Sequence, residues 1–116
     1  MQQEKMKYLE KLVGKTPMLE LIFDYKNEER RIFVKNESYN LSGSIKDRMA
    51  FYTLKKAYEK GEIKKGAPIV EATSGNTGIA FSAMGAILGH PVIIYMPDWM
   101  SEERKSLIRS FGAKIV

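Results

Sequence analysis

Apolar residues recur along this chain in two rhythms, one helical and one extended. Met6, Leu9, Leu12 and Val13 return at helical spacing, which predicts a short amphipathic helix over residues 3–13. Thr16-Pro17 breaks that pattern. Residues 18–23 and 31–37 then read as two strands joined by a polar turn over 24–30. A second helical pattern opens at Ile45 and runs to about residue 60. It is entered through the turn and cap formers Asn40, Ser42, Gly43 and Ser44, with Ser44 as N-cap and Gly61 as C-cap. After a charged connection over 62–67, residues 68–72 predict a short strand centred on Ile69 and Val70. Residues 77–88 follow as a helix that is apolar almost all round, the pattern of an element packed on both sides. Residues 91–96, with Val92, Ile93 and Ile94 in succession, suit the centre of a parallel sheet. Ser101 can cap a last helix whose dipole Glu102 and Glu103 complement and whose inner face is Leu107, Ile108 and Phe111. Gly112 stops it, and residues 113–116 begin another strand.

From Ile45 onward the order is helix, strand, helix, strand, helix, strand. That predicts a three-layer α/β unit around a parallel sheet, with right-handed crossovers. The expected division is an N-terminal arm with its hairpin over residues 1–43, packing on a larger domain, and a small α/β domain over residues 44–116. The second unit is expected to be incomplete and to continue beyond residue 116, because an open parallel sheet cut at a strand lacks its neighbours.

Composition narrows the chemistry. The 116 residues hold no cysteine, which excludes disulfides, a thiolate nucleophile and zinc sites built on cysteine. The single histidine, His90, rules out a histidine metal cluster; flanked by Gly89 and Pro91, it reads as a turn residue. A net charge of +5 suits an anionic ligand, and the 19 Lys and Arg are scattered among 14 acids without a basic run, so nucleic acid is a weak alternative. No signal-like stretch opens the chain, and the longest nearly apolar run, 78–89, is too short to span a bilayer. A soluble, cytoplasmic protein with no membrane partner is the expectation. Gly14-Lys15-Thr16 invites a phosphate-loop reading, but that motif needs a glycine where Leu9 stands.

Two stretches carry candidate chemistry. Lys46 falls in the first turn of the helix that opens at Ile45, where cations are disfavoured by the unpaired N–H groups. The same field, with some burial, favours the neutral amine, which is the form that attacks a carbonyl. A solvated surface lysine is the plain alternative. Residues 73–78, Thr-Ser-Gly-Asn-Thr-Gly, occupy a strand-to-helix turn of the kind where open parallel sheets bind ligands. Its glycines let backbone approach a ligand, its amides can hold an anion, and Thr73, Ser74 and Thr77 add hydroxyl donors. The plain alternative there is an Asn-containing turn and cap without a ligand.

Taken together, Ser42 to Arg48 (S-G-S-I-K-D-R) and Ile69 to Gly78 (I-V-E-A-T-S-G-N-T-G) resemble the cysteine synthase, or O-acetylserine sulfhydrylase, family of type-II fold pyridoxal-phosphate enzymes. Gly14 to Pro17, Met96 to Lys105 and Phe111 to Val116 extend the likeness, in the same order, over almost the whole chain. The resemblance implies that Lys46 forms the Schiff base with pyridoxal 5'-phosphate and that Asn76 hydrogen-bonds the cofactor's phenolic oxygen. It implies that Thr73, Ser74, Gly75, Asn76 and Thr77 grip the carboxylate of an amino-acid substrate. It further implies a β-replacement, in which Lys46 serves as base for the α-proton, the β-substituent leaves and a thiol or sulfide adds. A homodimer is implied as well.

Two departures from the family pattern stand out. Leu41 replaces the usual proline before the lysine turn, and Trp99 stands where the family commonly has a smaller residue, near the mouth of the site. The family's glycine-rich phosphate loop and the serine facing the pyridine nitrogen come later than residue 116, so further C-terminal polypeptide is expected to complete the site. Three readings remain in play: a cysteine synthase, a relative that releases sulfide from cysteine or forms cystathionine or lanthionine, and a non-catalytic module that binds an anion or a partner.

Overall fold

The computed structural model describes all 116 residues. Helix α1 (Gln2–Leu12) leads into an antiparallel ribbon of β1 (Met18–Tyr25) and β2 (Glu28–Lys35), then a short 3₁₀ turn (Glu37–Tyr39). After it come α2 (Lys46–Glu59), β3 (Ile69–Ala72), α3 (Asn76–Leu88), β4 (Val92–Tyr95), α4 (Glu102–Ser110) and β5 (Lys114–Ile115). The mixed α/β architecture is the one expected, an N-terminal helix and hairpin followed by a parallel sheet.

The parallel sheet has the order β3-β4-β5, with Ile69 opposite Val92 and Ile94 opposite Ile115. Alternation along β4 sends Val92 and Ile94 inward. Helix α3 packs on that inward face, and very closely. A methyl group on Gly85 would stand 2.2 Å from Val92 Cγ2, so only glycine admits the helix at this distance. Ile94 and Ile108 meet beneath Gly78, which places α4 on the same face. Helices α1 and α2 touch no strand and rest on α3, forming a second helical layer. This double cover explains why α3 is apolar all round: Ile79, Ala80, Phe81, Ala83, Met84 and Leu88 are all buried. In these 116 residues the helices lie on one side of the sheet, and Val70 and Tyr95 look outward from the other.

Of the arm expected over residues 1–43, α1 packs into the same core, with Leu9 fully buried. Only the ribbon stands away, and neither of its strands packs on another helix or strand. It gives the molecule its extents of 57 × 35 × 20 Å and its radius of gyration of 17.0 Å. A domain of this length ordinarily has a radius near ~13 Å. The turn expected over 24–30 is shorter than the sequence pattern predicts. Lys26 and Asn27, at φ 53° and 62°, form a two-residue connection with both central residues left-handed, and Tyr25 pairs with Glu28. Cross-strand pairing puts Leu19, Leu21, Phe23, Tyr25, Ile32 and Val34 on one face, while Glu20, Glu29 and Arg31 form ion pairs on the other.

His90 also departs from expectation. It is buried, and its Nδ1–H donates to the Ala67 carbonyl at 2.7 Å, which leaves Nε2 to accept from the Tyr58 hydroxyl. The Gln2 amide donates to that hydroxyl and, at 2.9 Å, to the Leu88 carbonyl, tying α1 across α2 to the end of α3. His90 is therefore a structural link between three elements and more than a turn residue.

Candidate active site

The chain between β2 and α2 is fixed by one carboxylate. Glu37 accepts from the Thr16 hydroxyl at 2.6 Å, from Arg48 Nε at 2.7 Å and Nη2 at 3.0 Å, and from the Asn40 amide at 2.8 Å. The Arg48 guanidinium, with help from Thr16 and Asn40, holds the Glu37 carboxyl down to about 2 from its ordinary 4.5. Asn40 Oδ1 in turn accepts from the Gly14 amide at 2.7 Å, so the segment before β1 joins the same knot. One residue past Lys46, Asp47 is fully buried and its carboxylate accepts from the Ser42 amide at 2.6 Å and from the Ser42 hydroxyl. That carboxylate sits in the first turn of α2, where the helix dipole favours an anion.

The cap of α2 lies differently from the sequence expectation. Ile45 occupies the N-cap position and brings no side-chain acceptor, while the Ser44 hydroxyl accepts from the Lys46 amide at 3.2 Å. The buried Asp47 carboxylate, bonded back to Ser42, does the work of closing the turn. Lys46 does begin the helix, but the burial expected for it is not found: its side chain is exposed, and its ammonium forms no ion pair.

The second stretch lies between β3 and α3. The Thr73 amide extends the sheet ladder to the Tyr95 carbonyl at 3.0 Å, and the Thr73 hydroxyl accepts from the Gly75 amide at 3.2 Å. The amides of Ser74, Asn76 and Thr77 donate to no group in the chain. Unbonded N–H groups at the start of a 13-residue helix form an anion-binding concavity. Asn76 is exposed, and its carboxamide has no partner either.

A cleft of about 570 Å³ opens between these stretches and α4, lined among others by Ser42, Asn76, Trp99, Ser101, Glu103 and Arg104. Of the residues singled out from sequence, Asn76, the lysine loop's Ser42 and Trp99 line it. Lys46, Thr73, Ser74, Gly75 and Thr77 stand outside its lining. Trp99 is 78% exposed at its edge, and Met100 is buried behind it. The cleft's α4 side was read from sequence only as a helix cap. Ser101 does cap, accepting from the Arg104 amide at 3.4 Å, but Ser101, Glu103 and Arg104 also form a wall. Nothing in composition or spacing marks that second role. A further cleft between α1 and α2 is lined by Gln2, Lys7, Glu10, Lys55 and Glu59 and touches none of these residues.

The donor set suits a cofactor with an aldehyde and a ring oxygen, binding beside an amino acid. It offers a primary amine free of ion pairs, a carboxamide free of partners, and three free amides for a carboxylate. The comparisons with known proteins point the same way. The family described as pyridoxal-phosphate dependent enzymes matches residues 9–116. The cysteine synthase of Aquifex aeolicus is 46% identical over 108 residues, covering 90% of this chain and 33% of its own length. Cysteine synthase B of Salmonella typhimurium is 41% identical over 111 residues, covering 96% of this chain and 37% of its own length. Among solved structures, a hydrogen sulfide-producing enzyme from Fusobacterium nucleatum superposes with a TM-score of 0.92 at 95% identity, over 98% of this chain and 34% of that one. An O-acetylserine sulfhydrylase (isoform 3) from Entamoeba histolytica superposes at 0.82 with 41% identity, over 93% of this chain and 33% of that one. The chain thus spans about a third of the length of the relatives it matches.

Proposed function

The chain belongs to the pyridoxal-phosphate dependent enzyme family, and from that premise we propose that it carries the lysine side of a site acting at the β-carbon of a serine- or cysteine-derived amino acid. The observation that carries the reading is the set of unbonded amides at Ser74, Asn76 and Thr77, in a turn whose Asn76 lines a cleft shared with Ser42 of the lysine loop. The chemistry the cofactor supplies when bound is an electron sink for the pair left at Cα. Lys46 Nζ would hold it covalently, and the Asn76 carboxamide would hold its ring oxygen. The free amides of Ser74, Asn76 and Thr77, with the hydroxyls of Thr73, Ser74 and Thr77, would bind and orient the substrate carboxylate. Lys46 Nζ would also serve as the general base for the α-proton. The knot at Glu37 and the Asp47–Ser42 pair keep the start of α2 in register with the turn.

The rest of the site, including the groups that hold the phosphate and face the pyridine nitrogen, is supplied by further polypeptide. That is in keeping with a chain one third the length of its relatives. The apolar face of the ribbon packs on that polypeptide, residues 44–116 form the core of the small domain, and the whole acts as a homodimer. Net synthesis of cysteine from O-acetylserine and sulfide, and release of sulfide from cysteine, use the same residues. The 95% identity to a hydrogen sulfide-producing enzyme favours release.

The longer polypeptide, purified with pyridoxal phosphate, should show visible absorption and liberate sulfide from cysteine. Lys46→Ala should lower turnover at least about a hundredfold, the smaller end of what a positioned base contributes. Turnover that survives Lys46→Ala sinks the reading. Cysteine formation from O-acetylserine outpacing sulfide release would reverse its preferred direction.

A further inference from the structure

Arg104 is a cation in the first turn of α4, where the helix dipole disfavours positive charge. No carboxylate pairs with it, although Glu103 is its neighbour in sequence and shares the cleft wall. Its side chain reaches out of α4 to the turn between β3 and α3, where Nη1 donates to the Ser74 carbonyl at 3.2 Å. The guanidinium also fills the space beside Gly75. A methyl group there would stand 3.1 Å from Arg104 Nη1 and 3.4 Å from Cζ. Glycine at 75 and arginine at 104 are thus shaped to each other across two elements.

We infer that Arg104 is a positioning residue for the substrate-carboxylate turn, coupling α4 to that turn through the Ser74 carbonyl. The inference rests on the reading of residues 73–77 given under Proposed function. A peptide plane has one carbonyl and one amide, so holding the Ser74 carbonyl fixes the Ser74–Gly75 plane and the path of the chain into α3. That path sets where the Asn76 and Thr77 amides point. The unpaired guanidinium adds positive charge on the wall of the same cleft, which strengthens any anion bound there. Arg104 is exposed, so removing it opens no cavity in the core.

The first test needs no cofactor. Amide exchange measured on the cofactor-free longer polypeptide should quicken across residues 73–78 in Arg104→Met, while α3 beyond residue 80 keeps its protection. The second uses the loaded protein with cysteine and O-acetylserine as probes. Arg104→Met should raise KM about tenfold with kcat within about twofold, the pattern of lost uniform binding. Gly75→Ala should raise KM on its own but add less than about twofold in the Arg104→Met background, because the group its methyl meets is gone. Arg104→Lys, which keeps a donor, should recover part of the loss. Unchanged exchange, or KM effects that simply add, overturns the inference. Lys46→Ala separates it from the broader reading: turnover surviving that change removes the catalytic assignment, while the exchange result still decides whether Arg104 holds the turn.

Discussion

The ribbon of β1 and β2 and helix α3 are built from similar amounts of apolar sequence and meet opposite fates. Helix α3 is covered by the sheet on one side and by α1 and α2 on the other, and residues 78–85 and Leu88 are all buried. The ribbon gathers six apolar residues on one face, and neither of its strands packs on another helix or strand. What holds α3 is packing against the sheet, α4 and the second helical layer. What holds the ribbon is its own ladder, a two-residue turn and surface ion pairs, each of which contributes little in water. Apolar content alone therefore says nothing about stability; the number of partners does.

The contrast can be broken most sharply inside α3. Met84→Ala removes a fully buried side chain between the two layers and should destabilise the chain by about 2–5 kcal/mol, read from denaturant unfolding. A loss below about 1 kcal/mol would mean that the second helical layer is loosely packed. Gly85→Ala attacks the other side of the helix. Its methyl has no room against Val92, and overpacking of this kind costs about 1–3 kcal/mol; a neutral result would show that α3 can slide off β4.

The joint between the two regions is the Glu37 knot, and its signature is a pH dependence. Glu37 has a folded pKa lowered from 4.5 to about 2, so its contribution is fully present above 4.5 and is lost as pH falls from there through about 2. Thermal midpoints measured between pH 6 and pH 3 should fall less steeply in Glu37→Gln than in the parent chain. Parallel curves would show that Arg48 does not hold this carboxylate in solution.

The smallest effect belongs to the ribbon. Leu21→Ser should change stability of this chain by no more than about 0.5 kcal/mol, since the side chain is already 45% exposed. In the longer polypeptide proposed above the same substitution should cost at least about 1.5 kcal/mol, the value of burying a leucine. Equal costs in the two settings would leave the ribbon's apolar face without a partner there.

The same comparison explains what could be read from sequence. Helix α3 was legible because it is apolar almost all round, and only a helix covered on both sides tolerates that. Its boundaries, and those of β4 and α4, follow from Gly89, Pro91, Ser101 and Gly112. The ribbon's turn was read too long because Glu28 to Arg30 are charged. On an uncovered strand Glu28 pairs with Arg30 and Glu29 with Arg31, so polarity there does not mean turn. The role of His90 was hidden because its partners lie 23 and 32 residues away. At the site, Lys46 and the 73–78 turn were visible as a misplaced cation and a glycine-bearing strand-to-helix turn. Arg104 was not, because its meaning depends on the volume missing at Gly75, which no spacing rule connects to α4.

The bond from Gln2 to the Leu88 carbonyl joins residues 86 positions apart, whereas β3, α3, β4, α4 and β5 each meet a neighbour in sequence. Closing so long a loop loses more chain entropy than assembling adjacent units. The β3–β5 unit is therefore expected to assemble before α1 docks, with Leu9 as the anchor of α1. In the reverse direction α1 should release from α2 and α3 before the β3–β5 unit opens. Amide exchange in α1 should therefore proceed by an opening smaller than global unfolding, leaving Met84 and Ile94 still protected from water.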